Sequence, residues 1–465
     1  MMIVDMALLK VKTIMRKINI SILIFIVLIS CFRNLWAQES DLKSLPEKPY
    51  SLDDLYQIAL KRSEKIKISE EDLYITERIK EKALSVLVPR FSAFGNYTRY
   101  NEEKTTADTG TLIQPESTTA WGVRFDQSFT LNGKELIALG IAEDSIKKSK
   151  YDLDAVKEAY LFNVASAYYD VLKTETAVNI AMANVKRLEA HKNAVTVQLK
   201  IEAVTKTALY RAQAELSKSK AELIKSKNRL RLTRNVLSRV VGLEGNFKIK
   251  TPEFKKDFSL DNDMDSVKKE ALFDRAELKS LAVQKKISED TVKYFKSAYW
   301  PSVSVEGVYQ KYDQEPDSLM VNDESISVGV LLNFTIFDGG LRKAEIKESL
   351  AKKRQAELAE KELSKEIATQ VDDAYLYLHT QMSVLKSLED QLNFANDNYN
   401  AVSKQFKYGL SNSIDLMDAN TLLVTSETEL SKAIYNRQLA GLNVERAKGT
   451  FLKAITGRLE VKTER

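Results

Sequence analysis

The sequence predicts a mainly α-helical protein with a small β membrane part, built twice from one unit. Three observations lead to this fold class: a register that repeats across the chain, two segments without glycine or proline that are long enough for very long helices, and four segments of strand character. The 465 residues include only 15 glycines and 7 prolines. Because these residues are the main helix breakers, their scarcity favours long uninterrupted helices.

The chain carries two copies of one unit. Pro301 follows Pro89 at an offset of 212 residues, and later the offset is 207, which relates Gly133 to Gly340. A constant register over such a length indicates duplication. We therefore expect five regions after an export signal: an N-terminal extension over 38–50, a first repeat over 51–242, a linker over 243–265, a second repeat over 266–452 and a C-terminal tail over 453–465.

The N-terminus has the pattern of an export signal, with basic residues followed by an apolar run over 18–29. That run is shorter than the ~20 residues that a membrane-spanning helix needs. Cleavage after Ala37 gives a signal peptide over 1–37. Alternatively, the sequence LISC over 28–31 resembles a bacterial lipobox, which gives a signal over 1–30 and makes Cys31 a lipid-bearing N-terminus. Both interpretations stay open.

Each repeat begins with a helix and a pair of strands. Apolar spacing predicts single helices over 51–87 and 266–298, and Pro89 and Pro301 end them. Period-two alternation then predicts a strand over 121–129 and another over 326–336, of a length that suits a strand crossing a membrane in a barrel, and their predicted partner strands alternate less cleanly. Ordinary soluble hairpins are the alternative. The predicted strands cover residues 91–100, 121–129, 303–311 and 326–336.

Each repeat ends in a very long helical hairpin. Residues 141–241 and 341–408 contain neither glycine nor proline. The second run would extend for ~100 Å as one helix at ~1.5 Å per residue. Its apolar residues recur at steps of three and four, which is typical of a coiled-coil seam. Gly409 breaks this run, a returning helix is expected over 413–452, and the corresponding turn of the first repeat is expected over 202–207.

Composition argues against several classes of function. The formal net charge of +5 is small for this length and does not indicate a nucleic-acid-binding surface. Only two histidines are present, His191 and His379, and both fall in the long helices, where we interpret them as surface or seam residues. No metal-spaced cluster, nucleophile motif or phosphate-binding loop occurs. The sequence therefore predicts no enzyme activity, no catalytic residue, no metal and no cofactor.

The strand count indicates that several chains assemble. A membrane barrel has to close so that no strand edge is left unpaired, and closure takes at least about eight strands. Four strands per chain are too few, so copies must share one barrel. The apolar seams of the long helices must also be buried against other helices, and a sheath of helical hairpins below a shared barrel satisfies both requirements.

The order of these elements resembles the TolC outer membrane efflux family over about residues 51–452. The local matches are FTIFDGG over 334–340, FKYG over 406–409 and IDLMDA over 414–419. The resemblance implies a homotrimer, a shared twelve-stranded β-barrel in the bacterial outer membrane lipid, and a helical tunnel through the periplasm. It also implies partners, namely a periplasmic adaptor (membrane fusion protein) and an inner-membrane transporter of an efflux or type I secretion system.

The same resemblance implies a periplasmic aperture formed by Asp415 and Asp418, with Gly409 at the turn of the hairpin tip. Their spacing of three puts both carboxylates on one helix face, and an acidic ring would select passing charge. The alternative is that Asp415 is an ordinary helix N-terminal acid. The first tip differs, with Glu202 at the position of Gly409, and its Arg211 could pair with an acid of a neighbouring hairpin in the closed state.

A second class of function shares many of these features. A periplasmic coiled-coil adaptor or structural protein of an export complex would also have a signal and helical hairpins. It would not need duplicated strand pairs with apolar faces. Extraction behaviour separates the two classes, because a channel requires detergent whereas an unlipidated adaptor does not.

Overall fold

The computed structural model describes residues 49–245, 247–252, 263–317 and 323–463. The chain divides into two units. The smaller comprises residues 1–49 and 247–249, and the larger comprises residues 50–246 and 250–465 and contains every element described below. The predicted signal, Cys31, most of the predicted extension, and residues 246 and 253–262 of the predicted linker lie outside the described residues.

The first repeat follows the order helix, helix, strand pair, long helical hairpin. A small hairpin of two short strands, β2 and β3, is added in the loop that joins its main strands. The elements are α1 (Leu52–Arg62), α2 (Glu64–Ser85), β1 (Arg90–Arg99), β2 (Lys104–Thr105), β3 (Leu112–Gln114), β4 (Ser117–Thr130), α3 (Lys134–Lys200) and α4 (Lys206–Val241).

The second repeat follows the same order and then adds a terminal helix. Its elements are α5 (Met264–Asp274), α6 (Ala276–Lys296), β5 (Ser302–Glu315), β6 (Glu324–Asn333), α7 (Leu341–Lys407), α8 (Ser413–Ala447) and α9 (Phe451–Thr463). The predicted fold class is confirmed at the level of one chain: two helical hairpins, four long strands and a duplicated unit.

The helix that opens each repeat is interrupted, so the prediction of single helices over 51–87 and 266–298 was wrong. Ser63 separates α1 from α2, and Arg275 separates α5 from α6; both residues have extended backbone angles. At Ser63 the hydroxyl accepts the N–H of Ile66 at 3.3 Å and caps α2. The two breaks are 212 residues apart and therefore occupy equivalent positions in the two repeats.

The four long strands form one antiparallel sheet in the order β1-β4-β5-β6. Strand β4 lies between β1 and β5, so the central pairing joins the two repeats, with Trp121 opposite Lys311. Strand β6 ends at Asn333, three residues earlier than predicted. The carbonyl of Ile336 instead accepts a hydrogen bond from Arg342 at 3.1 Å, because the chain turns there into α7.

The long hairpins pack through apolar seams, as the heptad spacing predicts. Helices α3 and α7 each have 67 residues, which corresponds to ~100 Å. Helix α4 packs against α3, α7 against α8, and α3 against α8. The four helices of the hairpins therefore stand in the row α4-α3-α8-α7. One buried cluster includes Val267, Ile367, Val371, Leu378 and Val444.

The last helix corrects the predicted C-terminal boundary. A helix over 413–452 and a tail over 453–465 were expected, but α8 ends at Ala447 and α9 begins at Phe451. Phe451 and Ile455 are fully buried. The ring of Phe451 lies edge-on to Tyr56 at 6.3 Å and to Phe162 at 6.0 Å. This region is therefore a packed helix that contacts α1 and α3 of the first repeat.

Candidate gate at the helical hairpin tips

The tip of the second hairpin is a glycine-dependent turn. The N–H of Leu410 donates to the carbonyl of Gln405 at 2.9 Å, and the N–H of Gly409 donates to Phe406 at 3.2 Å. These two bonds form the Schellman pattern that closes a helix C-terminus. Gly409 has φ of +76°, a left-handed conformation that glycine adopts without steric cost.

The first tip has the same turn without a glycine. The N–H of Ala203 donates to Gln198 at 2.9 Å, and the N–H of Glu202 donates to Leu199 at 3.0 Å. Glu202 has φ of +60° and is the only non-glycine residue with positive φ among the described residues. The repeat register therefore fixes the turn geometry even where the sequence lacks the residue that favours it.

Asp415 closes the N-terminus of α8 through a capping box. Its carboxylate accepts the N–H of Asn412 at 3.3 Å and the hydroxyl of Ser411 at 3.1 Å. In return, the side chain of Asn412 accepts the N–H groups of Ile414 at 2.7 Å and Asp415 at 3.0 Å. The helix-terminal role that the sequence left as an alternative for Asp415 is therefore present in the structure.

Asp415 and Asp418 are both exposed on α8, whereas Leu416 and Ala419 between and beside them are buried. Leu416 packs with Val195 of α3 and Ala212 of α4, so the two exposed carboxylates lie away from the core of their own chain. This arrangement leaves both acids available to an opening or to another subunit. Their placement in an aperture stays a prediction.

Arg211 shares a groove with the second tip. It is exposed on α4 and makes no ion pair with any residue that the structure describes. The groove, of about 690 Å³, is lined from both hairpins and includes Arg211, Gly409 and Asp415, but not Asp418. The structure thus brings Arg211 of the first hairpin to one groove with Gly409 and Asp415 of the second. Pairing of Arg211 with an acid of a neighbouring hairpin stays a prediction.

Polar side chains join the two hairpins just above the tips. None of these side chains is among the predicted site residues, although polar residues at spacings of three and four on α3 are a usable signal. The contacts are Asn420 Nδ2 to Asn184 Oδ1 at 2.8 Å, Arg187 to both carboxylate oxygens of Glu427 at 3.2 and 3.0 Å, and His191 Nε2 with Ser413 Oγ at 2.9 Å.

Within the described ranges, no group of three or more His, Cys, Asp or Glu side chains is placed to hold a metal ion. None of the helices in these ranges combines the length and the apolar character that a transmembrane span requires.

The second repeat matches the family model of the outer membrane efflux proteins over residues 267–450. TolC of Vibrio cholerae serotype O1 is 20% identical over 343 residues, which cover 71% of this chain and 76% of that protein. TolC of Escherichia coli K12 is 20% identical over 399 residues, covering 81% and 77%. This chain is similar to the TolC-like outer membrane efflux proteins.

Solved structures show the same fold. A membrane protein from Pseudomonas aeruginosa has a TM-score of 0.77 at 17% identity, covering 86% of this chain and 90% of its own. The outer membrane channel CmeC of Campylobacter jejuni has a TM-score of 0.77 at 14% identity, covering 91% and 93%. The solved structures confirm the predicted fold class for one chain. The predicted resemblance and the outer-membrane localisation are supported by the sequence comparisons as well.

Proposed function

We propose that this TolC-like chain forms a homotrimeric exit duct across the outer membrane and periplasm. It would work with a periplasmic adaptor and an inner-membrane transporter of an efflux or type I secretion system. The chain resembles the outer membrane efflux channels, which act in tripartite efflux systems. Substrates would leave through the lumen without chemical change, so the proposal assigns no catalytic residue and no cofactor.

The observation that carries the trimer is the open sheet. Strands β1 and β6 each pair with one neighbour among the described residues and form the two edges of a four-stranded sheet. Such edges cannot face lipid with their backbone groups unpaired. The apolar side chains of β6 are also exposed in the single chain, with Ile326 at 78% and Val328 at 77%. Three copies would supply twelve strands and leave no edge.

The outer helices of the hairpin row support a cyclic assembly of the same kind. Helix α4 carries ten Lys and Arg but two Glu, whereas residues 371–400 of α7 carry five Asp and Glu but one Lys. Both helices also expose apolar residues, including Leu232 on α4 and Leu376 and Phe394 on α7. Because α4 and α7 lie at opposite ends of the row, a ring of identical copies brings the basic edge of one against the acidic edge of the next.

We also propose that Asp415 and Asp418 line the periplasmic aperture and that Arg211 pairs with an acid at the tips when it is closed. Both acids are exposed at the tip of a hairpin, and close carboxylates around a three-fold axis would attract cations and repel anions. Gly409 would hold the turn that places them. An exposed ion pair of Arg211 would contribute little, about 0–1 kcal/mol.

Planar-bilayer conductance of the detergent-purified protein tests both proposals. Because Asp415 also caps α8, its charge is removed by Asp415→Asn, which keeps a side-chain acceptor. The test uses the double variant Asp415→Asn/Asp418→Asn. We expect larger steps or a loss of cation preference in this double variant. Glu362→Gln, at an exposed acid of α7 outside residues 371–400, is the matched control and should behave as the wild type.

Each result has a distinct meaning. Conductance that is indifferent to the double substitution would refute the aspartate aperture while keeping the channel. A folded oligomer that never inserts would refute the channel and favour the periplasmic adaptor. Arg211→Ala with unchanged conductance would remove Arg211 from the gate.

A further inference from the structure

His191 is buried at the junction of the two hairpins. It lies on α3, is 6% exposed, and its Nε2 is 2.9 Å from Ser413 Oγ at the first turn of α8. The ring of Phe406, near the end of α7, lies at 5.0 Å. One imidazole therefore contacts both helices of the second hairpin where they meet the tip.

The surroundings of this ring favour the neutral imidazole. Its Nδ1 is buried and has no hydrogen-bond partner among the described residues. Neutral imidazole can leave a bare acceptor nitrogen there, whereas imidazolium carries an N–H at both positions and would bury an unpaired donor and a charge. Burial alone lowers the pKa of His191 below its ordinary value of 6.5.

The charged groups at this level are engaged elsewhere or exposed. Arg187, one turn earlier on α3, is paired with Glu427, and Asp415 is held in the capping box of α8. None of the neighbouring charges contributes to the lowered pKa of His191. The groups on the four helices at this level are Arg187, Glu189 and Lys192 on α3, Arg211, Glu215 and Lys218 on α4, Tyr399, Lys404 and Lys407 on α7, and Asp415, Asp418 and Glu427 on α8.

We propose that His191 is a proton-sensitive latch that holds the second hairpin tip against the first in its neutral form and releases it when protonated. The latch acts directly on the candidate gate, because Ser413 lies inside the capping box between Asn412 and Asp415. A His191 that leaves its pocket gains water at both nitrogens. The inference that the latch regulates a channel rests on the proposed function. The inference that His191 holds the two hairpins together does not.

The sign of the pH effect follows from linkage. The latched state binds the proton less well than the released state, in which the imidazole is hydrated. The latch is therefore intact above the ordinary pKa of 6.5 and weakens as the pH falls below it. Because one proton is involved, the ratio of released to latched molecules rises by at most about tenfold per pH unit.

Amide hydrogen exchange of residues 408–418 tests the latch in the purified wild type, His191→Gln and His379→Gln. His379 is the second histidine of the chain and is exposed on α7, so it is the matched control. After correction for chemical exchange rates, opening should rise several-fold from pH 7.5 to 5.5 in the wild type and in His379→Gln. It should stay flat in His191→Gln, whose amide can still donate to Ser413.

A pH response that persists unchanged in His191→Gln, or a wild type without one, would refute the latch. If His191→Gln does not fold, NMR titration of ¹³C-labelled histidine in His379→Gln gives a second test, and a His191 pKa at or above its ordinary value overturns the proposal. Bilayer conductance separates this inference from the proposed function. A protein whose exchange responds to pH through His191 but that does not conduct would keep the latch and refute the channel.

Discussion

Glu202 and Gly409 hold the same left-handed position in the turns at the two hairpin tips, with φ of +60° and +76°. In each turn the N–H of the next residue closes the helix end. The N–H of Ala203 donates to the carbonyl of Gln198, and the N–H of Leu410 donates to the carbonyl of Gln405. The turn is therefore a property of the duplicated unit, and the side chain at this position differs between the copies. In a non-glycine residue this conformation costs about 1–2 kcal/mol.

Glu202→Gly is expected to raise the stability by about 0.5–1 kcal/mol, because relief of the left-handed strain exceeds the added flexibility of the unfolded chain. Gly409→Ala should lower it by a similar amount. The thermal midpoint of the helical circular dichroism signal, measured in detergent at fixed protein concentration, checks both. A lower midpoint for Glu202→Gly would show that the Glu202 side chain contributes more than its backbone strain costs.

Two further glycines distinguish a crowded site from a roomier one. Gly242 and Gly449 occupy equivalent positions after α4 and α8, both with positive φ. A Cβ at 449 would lie 2.9 Å from the backbone nitrogen of Arg275, whereas one at 242 would lie 3.2 Å from Cβ of Arg62. The atoms that crowd position 449 are closer and belong to the backbone of the break between α5 and α6, so a side chain at 449 requires a larger shift than one at 242.

Gly449→Ala is therefore expected to destabilise the protein by about 2–4 kcal/mol and Gly242→Ala by about 1–2 kcal/mol. Both variants carry the same left-handed strain, so the difference between their thermal midpoints isolates the crowding at Arg275. Equal losses would mean that the break between α5 and α6 shifts at little cost.

The long helices, the strand pairs and the turn at Gly409 could be predicted because each depends on local signals. Apolar spacing, alternation and a glycine act over a few residues, and the repeat register supported each assignment twice. The interruptions at Ser63 and Arg275 could not, since neither residue breaks a helix by itself. They arise from tertiary packing, in which the ends of the hairpins meet the opening helices.

The candidate site was predictable in part for the same reason. Asp415 and Asp418 follow a recognisable turn, so their position at the tip and on one face was accessible from the sequence. The capping role of Asp415 was also predictable, as the alternative to the aperture. The contact of His191 with Ser413 was not, because it joins residues 222 positions apart. Periodicity places such a histidine on a seam without showing what lies opposite.

Arg342 ties the sheet to the second hairpin. Its guanidinium donates to Asp338 at 2.7 Å, to the carbonyl of Ala298 at 3.2 Å and to that of Ile336 at 3.1 Å. It also lies 4.6 Å from the centre of the Tyr299 ring. One buried side chain therefore joins the end of α6, the end of the sheet and the start of α7.

Arg342→Ala is expected to cost about 2–3 kcal/mol, because it leaves two carbonyls without their donor and leaves Asp338 with only the N–H groups of Gly340 and residue 342. Arg342→Lys should recover only a fraction, since an ammonium cannot reproduce the planar fork. Lys343→Ala, at the exposed neighbouring position, is the control and should stay within about 0.5 kcal/mol of the wild type. Thermal midpoints at fixed detergent and protein concentration rank the three variants, and a small loss for Arg342→Ala would mean that water replaces the guanidinium.

Glu158 is a buried acid in α3 with one carboxylate oxygen that has no partner among the described residues. Burial, reinforced by the nearby Glu277, raises its pKa from 4.5 to about 7, although Arg275 and Arg446 oppose the shift. The folded protein therefore keeps a proton that the unfolded chain releases near pH 4.5. This contribution to stability is complete below pH 4.5 and is lost as the pH rises to about 7.

Glu158→Gln should remove this dependence, because its amide resembles the protonated acid and never ionises. Relative to the wild type, the variant is expected to gain about 2–3 kcal/mol between pH 4.5 and pH 8. Glu222→Gln, at an exposed acid of α4, is the control and should follow the wild-type curve. Thermal midpoints across this range give the measurement. If the thermal midpoint of the wild type instead rises relative to that of Glu158→Gln as the pH rises, Glu158 is ionised in the folded state. Arg275 and Arg446 then outweigh the effect of its burial.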